Sequence, residues 1–150
     1  MSALRIARNV CAALLVTVAV ARALPAGTLY ITDKALDPKS ATFEKDLKKE
    51  ARTTLKKNGD GWHLYFVAYM KKAAGAEEVN IVFYELGAGN KREQVNAYPI
   101  GTQATAKIIM SDIEISAEQG FAAGKRYQIL ITRLVGGKED VYARATLQLQ

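Results

Sequence analysis

The feature that most constrains the fold is a succession of short segments in which apolar residues alternate or run together, separated by turn-forming residues. The last of these segments is the clearest, because every second residue from Val141 to Leu149 is apolar. A period of two residues is typical of a strand with one face in the core and one face in solvent. Tyr142 falls between the apolar positions, so we expect it on the solvent face.

Similar strand patterns recur along the rest of the chain, and turn signals separate them. Asn58-Gly59-Asp60-Gly61 and Gly136-Gly137 consist of residues that accept a positive φ angle, as tight hairpins require. Pro99 is expected to end the strand that precedes it. The other predicted strands cover residues 28–32, 62–70, 78–86, 93–98, 105–115 and 126–134. About seven or eight strands in a chain of this length predict the all-β class, as a single antiparallel β-sandwich.

Residues 41–57 fit either a helix or a strand. Their apolar residues recur every four positions, which indicates one helix face, but all of them are odd-numbered and also fit one strand face. Glu44 and Lys48 form a favourable helical pair, whereas Thr53 and Thr54 favour a strand. We therefore predict a short helix near 42–50 and a strand over 51–57. Ser116 and Gln119 have the spacing of a capping box, which predicts a helical turn near 116–121 that carries Phe121 onto the core.

The first 23 residues have the pattern of a secretory signal peptide. Arginines without acids precede the apolar run from Val10 to Ala21, and Ala21-Arg22-Ala23 has the small-residue spacing that signal peptidase cleaves. The run has about 12 residues, whereas a membrane span needs about 20. We predict that residues 1–23 are removed and that the protein is exported to the periplasm or the cell surface. Residues 24–150 are then one domain without a transmembrane segment.

Loss of this leader changes the charge and the cysteine content. The full chain has 21 basic and 15 acidic residues, and three of its arginines lie in the leader, which leaves 18 against 15, a net charge of +3. Such a balance is ordinary and gives no reason to expect a nucleic-acid partner. The only cysteine, Cys11, also lies in the leader. The remaining chain therefore offers no disulfide, thiolate metal site or cysteine nucleophile.

The last third of the chain resembles the closing strands of immunoglobulin-like and fibronectin type III-like modules. A short turn leads into Gly120-Phe121-Ala122-Ala123-Gly124-Lys125-Arg126-Tyr127, and alternating isoleucines, a Gly-Gly hairpin and a final strand follow. The resemblance implies that Tyr127 packs at a corner early in its strand and that Trp62 is a core tryptophan. The resemblance is architectural and implies no function.

The residues that could carry chemistry are few. His63 is the only histidine, and one histidine in such an apolar run is typical of a half-buried structural residue. Without a second histidine or a thiol, a transition metal has few ligands to bind. Asp112 and Glu114 share a strand face, and a cleft that gathered His63 with two carboxylates would favour an enzyme. We predict no catalytic, metal-binding or cofactor-binding residues, and therefore a protein that is not an enzyme.

Two groups of residues are candidates for a binding surface. The basic group could contact an anionic partner such as lipopolysaccharide, or it could be a solvated helix or an edge protected by lysines. The aromatic group would form a protein or glycan contact if two or more of its members were exposed together. The basic group is Lys45, Lys48, Lys49, Arg52, Lys56 and Lys57, and the aromatic group is Trp62, Tyr65 and Tyr69.

These patterns predict an exported binding module without enzymatic activity. Its expected partner is a protein of the cell envelope, so that the chain would be an accessory subunit of an envelope assembly. An unpaired edge strand could accept a strand from that partner. Strands 28–32 and 139–149 are the candidates, because terminal strands often lie at sheet edges. The alternative is a carbohydrate- or polyanion-binding β-sandwich.

Overall fold

The computed structural model describes residues 24–150, so the predicted leader over residues 1–23 lies outside the described residues. Single 3-10 turns cover Ala88–Asn90 and Ala117–Gln119. In chain order the elements are β1 (Thr28–Thr32), α1 (Phe43–Glu50), β2 (Thr54–Leu55), β3 (Gly61–Tyr69), β4 (Glu78–Leu86), β5 (Arg92–Gly101), β6 (Ile108–Ser116), β7 (Arg126–Val135) and β8 (Lys138–Leu149). The predicted all-β class, the short helix and the helical turn are confirmed.

All eight strands belong to one hydrogen-bonded sheet that curls on itself. Its order is β5-β4-β7-β8-β1-β3-β6, and β2 pairs with β8 beside this path. Most neighbours are antiparallel, but β8 runs parallel to both β1 and β2. The sheet is therefore mixed, whereas the sequence predicted a purely antiparallel one. A curled sheet of this kind is compatible with a sandwich-like module.

The main core fills the inner side of the curl. Its largest side chains include Trp62, Phe83, Phe121 and Tyr127, all of which are buried. Phe83 and Phe121 meet edge to face with their ring centroids 5.0 Å apart, a geometry that aromatic pairs prefer. The Ser116 amide donates to Oε1 of Gln119 at 2.9 Å. This half of the capping box holds the turn that brings Phe121 inward, as predicted.

A second, smaller core lies on the outer side of β1 and β3, where α1 covers the sheet. Leu47 is the buried residue of α1, and it packs with Leu24, Val67 and Tyr69. The lysines of the helix point away from this contact and are exposed. A helix with one apolar stripe and a charged opposite face is expected to dock in this way.

The orientation of the Tyr142 side chain in the last strand differs from the prediction. Ile131 pairs with Ala143 but Thr132 pairs with Val141, so Tyr142 is the extra residue of a β-bulge. A bulge redirects the side chain it contains, and Tyr142 is buried in the main core instead of lying in solvent. Its hydroxyl donates a hydrogen bond to the Ala74 carbonyl at 3.0 Å.

Two further boundaries differ from the sequence prediction. The strand expected over 51–57 shrinks to the two residues of β2, because its parallel pairing with β8 extends only over Gln148 and Leu149. Pro99 does not end its strand, since β5 continues to Gly101. Proline is tolerated there because β5 is an edge strand with a neighbour on one side only.

Candidate functional site

The open edges of the sheet are β5 and β6, so the predicted edges were wrong. Strand β8, which contains residues 139–149, lies between β7 and β1, and β1 itself lies between β8 and β3. The first and last strands of the described chain thus pair with each other inside the sheet. Strand order depends on contacts between distant parts of the chain, which local patterns do not report.

Strand β6 has a row of unpaired backbone groups. The Met70 amide donates to the Lys107 carbonyl at 2.9 Å, and the β3–β6 register continues from this pair. In an antiparallel ladder hydrogen-bonded pairs alternate, so the odd-numbered residues of β6 bond to β3. The even-numbered residues from Ile108 to Glu114 direct their N–H and C=O groups outward, and their amides have no partner among residues 24–150. We call this outward side, with its side chains, the β6 edge.

Strand β5 is a blocked edge by comparison. The Thr102 amide donates to the Glu77 carbonyl, and the same alternation makes Ala97 and Pro99 outward-facing. Pro99 has no N–H group, and the Ala97 N–H donates to Oδ1 of its neighbour Asn96 at 2.9 Å. Neither outward-facing residue at the centre of this strand therefore has a free N–H donor. Loss of free donors is a known way of protecting an edge from strand addition.

The side chains of the β6 edge divide into an apolar half and an acidic half. Ile108 and Met110 are 50% and 39% exposed, respectively. Asp112 and Glu114 follow on the same outer face, with side chains 54% and 82% exposed. Apolar exposure alone does not distinguish β6, because Leu134 and Val135 on β7 are also exposed. What distinguishes β6 is the combination of exposed Ile108 and Met110 with unpaired backbone groups on one strand.

His63 lies opposite the acidic half of β6, where cross-strand pairing places it beside both carboxylates. Its Nε2 is 2.6 Å from Oδ2 of Asp112, and its Nδ1 is 3.6 Å from Oε1 of Glu114. The imidazole stacks on Tyr65 at 4.4 Å. The predicted sharing of a face by the two acids is confirmed, and the structure adds the histidine between them.

This His63 group is not enclosed in one cleft. His63 and Glu114 line a hollow of about 500 Å³ together with Ser116, but Asp112 lies outside it. Both imidazole nitrogens face carboxylates, and among the described residues no hydroxyl nucleophile is hydrogen-bonded to His63. A general base needs one nitrogen directed at the proton it removes. The exposed carboxylates of the group can accept hydrogen bonds from a basic side chain on the sheet surface.

Two grooves flank β6. One, of about 220 Å³, lies on the outer face between Leu36, Val67 and Met110, and its lining is mostly apolar. The other, of about 270 Å³, separates β6 from β5, with Tyr98 and Ile113 among its lining residues. The unpaired backbone groups of β6 therefore border a groove whose far wall is β5, and they do not pair with that strand.

Tyr98 carries the one buried side-chain polar atom that lacks a hydrogen-bond partner in the described part of the chain. Burial raises the pKa of its hydroxyl, and the nearby Asn96 amide partly opposes this rise. The Asn96 amide is itself engaged by the Ala97 N–H and the Gln119 carbonyl. A buried hydroxyl without a partner costs stability that a bonded one does not.

Tyr98 and Tyr142, whose hydroxyls are both buried, are expected to respond differently to loss of those hydroxyls. Tyr142→Phe should lower the free energy of unfolding by about 1–2 kcal/mol, because the Ala74 carbonyl loses its donor. Tyr98→Phe should leave the free energy of unfolding unchanged or raise it, since no bond is lost. Urea denaturation of the three proteins measures the difference. A larger loss for Tyr98→Phe than for Tyr142→Phe would contradict this assignment.

The structure divides the predicted basic group among separate elements. Lys45, Lys48 and Lys49 lie on α1 and are exposed, and Lys56 and Lys57 follow β2. None of these five lysines forms an ion pair within residues 24–150, but Arg52 pairs with Asp33 and Glu50. Arg52 is therefore neutralised by its neighbours, whereas the lysines remain available to an anionic partner.

The predicted aromatic group does not form an exposed surface. Trp62 is 2% exposed and Tyr69 is 8% exposed, because they belong to the main core and the second core, respectively. Tyr65 is half-buried and stacks on His63. A binding surface would need at least two exposed members of this aromatic group, and this condition is not met. The two cores cover the alternating faces of β3 at Trp62 and Tyr69.

Two further findings concern residues 24–150 as a whole. No helix among them is long and apolar enough to cross a membrane. Within the same residues, no three His, Cys, Asp or Glu side chains are placed to hold a metal ion.

Comparison with known proteins gives no relative from which a function could be transferred. No protein-family model matches the chain, and no curated protein matches it.

Proposed function

We propose that this protein is an exported binding module without enzymatic activity, which docks onto a protein of the cell envelope through the β6 edge. The observation that carries the proposal is the combination, on one strand, of unpaired backbone groups with the exposed side chains of Ile108 and Met110. Exposed apolar residues next to an apolar groove are stabilised when a partner covers them. As an accessory subunit, the chain would contribute this surface to an envelope assembly.

We also propose that the domain is an immunoglobulin-like or fibronectin type III-like module. Support comes from Tyr127, whose hydroxyl accepts a hydrogen bond from the Ala122 amide, five residues upstream, at 2.9 Å. Such modules use a corner tyrosine with a bond of this kind. Trp62 is buried in the core, as the resemblance implies. The parallel pairings of β8 are the feature that departs from this pattern.

The geometry around His63 favours binding over catalysis. Its carboxylate neighbours are largely solvated, and neither nitrogen is directed at a nucleophile among the described residues. Catalysis by preorganised charges requires a site from which water is excluded. A face this open suits recognition of a basic group of the partner.

The alternative function is binding of a polyanion by the basic group. The observation that favours it is the absence of ion pairs at Lys45, Lys48, Lys49, Lys56 and Lys57 within the described chain. Unpaired lysines attract anionic surfaces, and salt screens that attraction. The carbohydrate form of this alternative has less support, because two of its three aromatics are buried.

The proposal predicts site-specific cross-linking to a partner. A photo-reactive amino acid placed at Ile108 in the exported full-length protein should give one reproducible adduct with an envelope protein upon illumination of its source cells. The same amino acid at Lys138, which is exposed on another hairpin, is the control and should give no adduct. Adducts are identified by mass spectrometry, which also gives the start of the mature chain, expected at Leu24.

Other outcomes would contradict the proposal. Equal adducts at Ile108 and Lys138 would mean that the β6 edge has no special partner. An adduct at Lys48 but not at Ile108 would favour the basic group as the binding surface. A mature chain that retains residues 1–23 would contradict the predicted removal of the leader.

A further inference from the structure

The geometry points to an extended peptide segment as the occupant of the β6 edge. It would pair antiparallel to β6, which is the more stable of the two strand pairings, with basic residues opposite Asp112 and Glu114 and apolar residues opposite Ile108 and Met110. This inference rests on the proposed function of the β6 edge as a docking surface. It goes beyond that function by giving the backbone conformation, direction and residue order of the partner segment.

The backbone of β6 is suited to an extended partner. Its outward N–H and C=O groups recur at every second residue, because the residues between them bond to β3. Another strand presents donors and acceptors at the same two-residue spacing of about 6.6–6.8 Å, whereas a helix does not. Strand addition would thus satisfy the outward groups at Ile108, Met110, Asp112 and Glu114 together.

The side chains of the β6 edge specify the order of residues in the partner. Residues directly opposite one another in an antiparallel pair share a face and interact, and opposite charges stabilise such a pair. The outer face of β6 presents two apolar residues followed by two acids, and His63 contacts the acids from the β3 side only. An antiparallel partner must therefore present, at every second position, two basic residues followed by two apolar ones.

The intervening residues of the partner would face inward, over the groove between β6 and β5. Ile100, Ile113 and Tyr98 line this groove, and the buried residues Phe66 and Ile81 form part of its wall. Ser111 and Asp112 also line it, so the groove is of mixed polarity and does not specify the intervening residues. The expected segment reads basic-x-basic-x-apolar-x-apolar from its amino end, where x is any residue.

A second copy of this chain is a poorer occupant. Pairing β6 with itself over its whole length places Asp112 opposite Asp112, and like charges directly opposite destabilise a strand pair. Pairing β6 of one copy with β5 of another meets an edge from which the outward donors of Ala97 and Pro99 have been removed. A basic and apolar segment of another protein avoids both problems.

The test uses the mature protein and two fluorescent peptides. One peptide has the expected order, and the other carries glutamates in place of its two basic residues. Fluorescence anisotropy should show at least tenfold tighter binding of the basic peptide. The double variant Asp112→Lys with Glu114→Lys should reverse this preference. Equal binding of both peptides, or an unchanged preference in the double variant, would overturn the inferred residue order.

A second pair of variants tests the backbone pairing. Met110→Pro removes an outward N–H without touching the bonds to β3, and Met110→Ala removes the same side chain but keeps the N–H. The extended backbone of the preceding residue is compatible with proline. Circular dichroism checks that both variants fold, and Met110→Pro should bind the basic peptide at least tenfold more weakly than Met110→Ala. Equal affinities would overturn strand addition.

The two proposals can fail separately. Cross-linking at Ile108 together with equal affinities of the two Met110 variants would leave the docking function standing and overturn strand addition. Self-association of the free protein that Met110→Pro abolishes and Met110→Ala retains would identify a second copy as the occupant and would also overturn the inference. Should Met110→Pro fail to fold, the charge-reversed double variant still decides the residue order.

Discussion

Replacement of Trp62 by alanine is expected to lower the free energy of unfolding by about 3–5 kcal/mol. The indole is 2% exposed in the main core, and its Nε1 donates to the Gln150 carbonyl at 2.9 Å. The substitution therefore creates a cavity and also frees the last residue of the chain from β3. Because domains of this size are stable by about 5–15 kcal/mol, Trp62→Ala should unfold at a much lower urea concentration than the parent protein.

Trp62→Phe is the matched control for this experiment. It keeps an aromatic ring in the core but loses the bond to Gln150, so its destabilisation should be clearly smaller than that of the alanine variant. Urea denaturation followed by far-ultraviolet circular dichroism measures both variants. A change below about 1 kcal/mol for Trp62→Ala would be typical of a surface position and would contradict the burial of this side chain.

Replacement of Leu47 by alanine is expected to lower the free energy of unfolding by about 2–5 kcal/mol. Leu47 is fully buried between α1 and the outer face of β1 and β3, where it packs against Val67 and Tyr69. It is the only buried residue of the eight in this helix. A helix this short is not stable in water without tertiary contacts, so loss of Leu47 should detach α1 from the sheet.

Lys48→Ala is the matched control for Leu47→Ala, since Lys48 is exposed on the same helix. Its expected change is within about 0.5 kcal/mol. Hydrogen exchange provides a second measurement: amides of α1 should lose protection in Leu47→Ala, whereas those of β4 and β7 should keep theirs under native conditions. Equal effects of the two substitutions would mean that α1 is not held by the second core.

The elements that the sequence predicted well are those with strong local periodicity. β4 covers the same residues as predicted, Glu78 to Leu86, because apolar residues alternate along it: Val79, Ile81 and Phe83 are buried on one face, and Val82 is buried on the other. The helix from Phe43 to Glu50 was also found, since favourable charge pairs and apolar spacing of four residues act within single turns. Such signals depend on neighbours along the chain, which a sequence reports directly.

The features that the sequence did not predict depend on pairing between distant segments. Tyr142 points inward because β7 and β8 are offset by one residue at the bulge. The sequence of β8 alone does not indicate this offset. The open edges were assigned to the wrong strands for a similar reason, because β1 and β8 pair with each other. Bulges and strand order are set by tertiary contacts, which override local preference.

The candidate site was predictable only in pieces. Alternation placed Asp112 and Glu114 on one face, but the register that sets His63 opposite Glu114 joins residues 51 positions apart. Ile108 and Met110 were part of a predicted strand, and their exposure follows only from the position of β6 at the end of the sheet. The available signal was that Ile108 and Met110 alternate on the same strand face as Asp112 and Glu114.

For the proposed strand addition, the contrast between a blocked β5 and an open β6 limits each copy of this protein to one added strand. A domain with two open sheet edges can extend an assembly without limit, because each added copy presents another open edge. A domain with one open sheet edge ends the assembly after a single strand has been added. Because Pro99 and the Asn96–Ala97 bond close the other edge, each copy would take up one strand and then terminate the assembly, in a ratio of one to one.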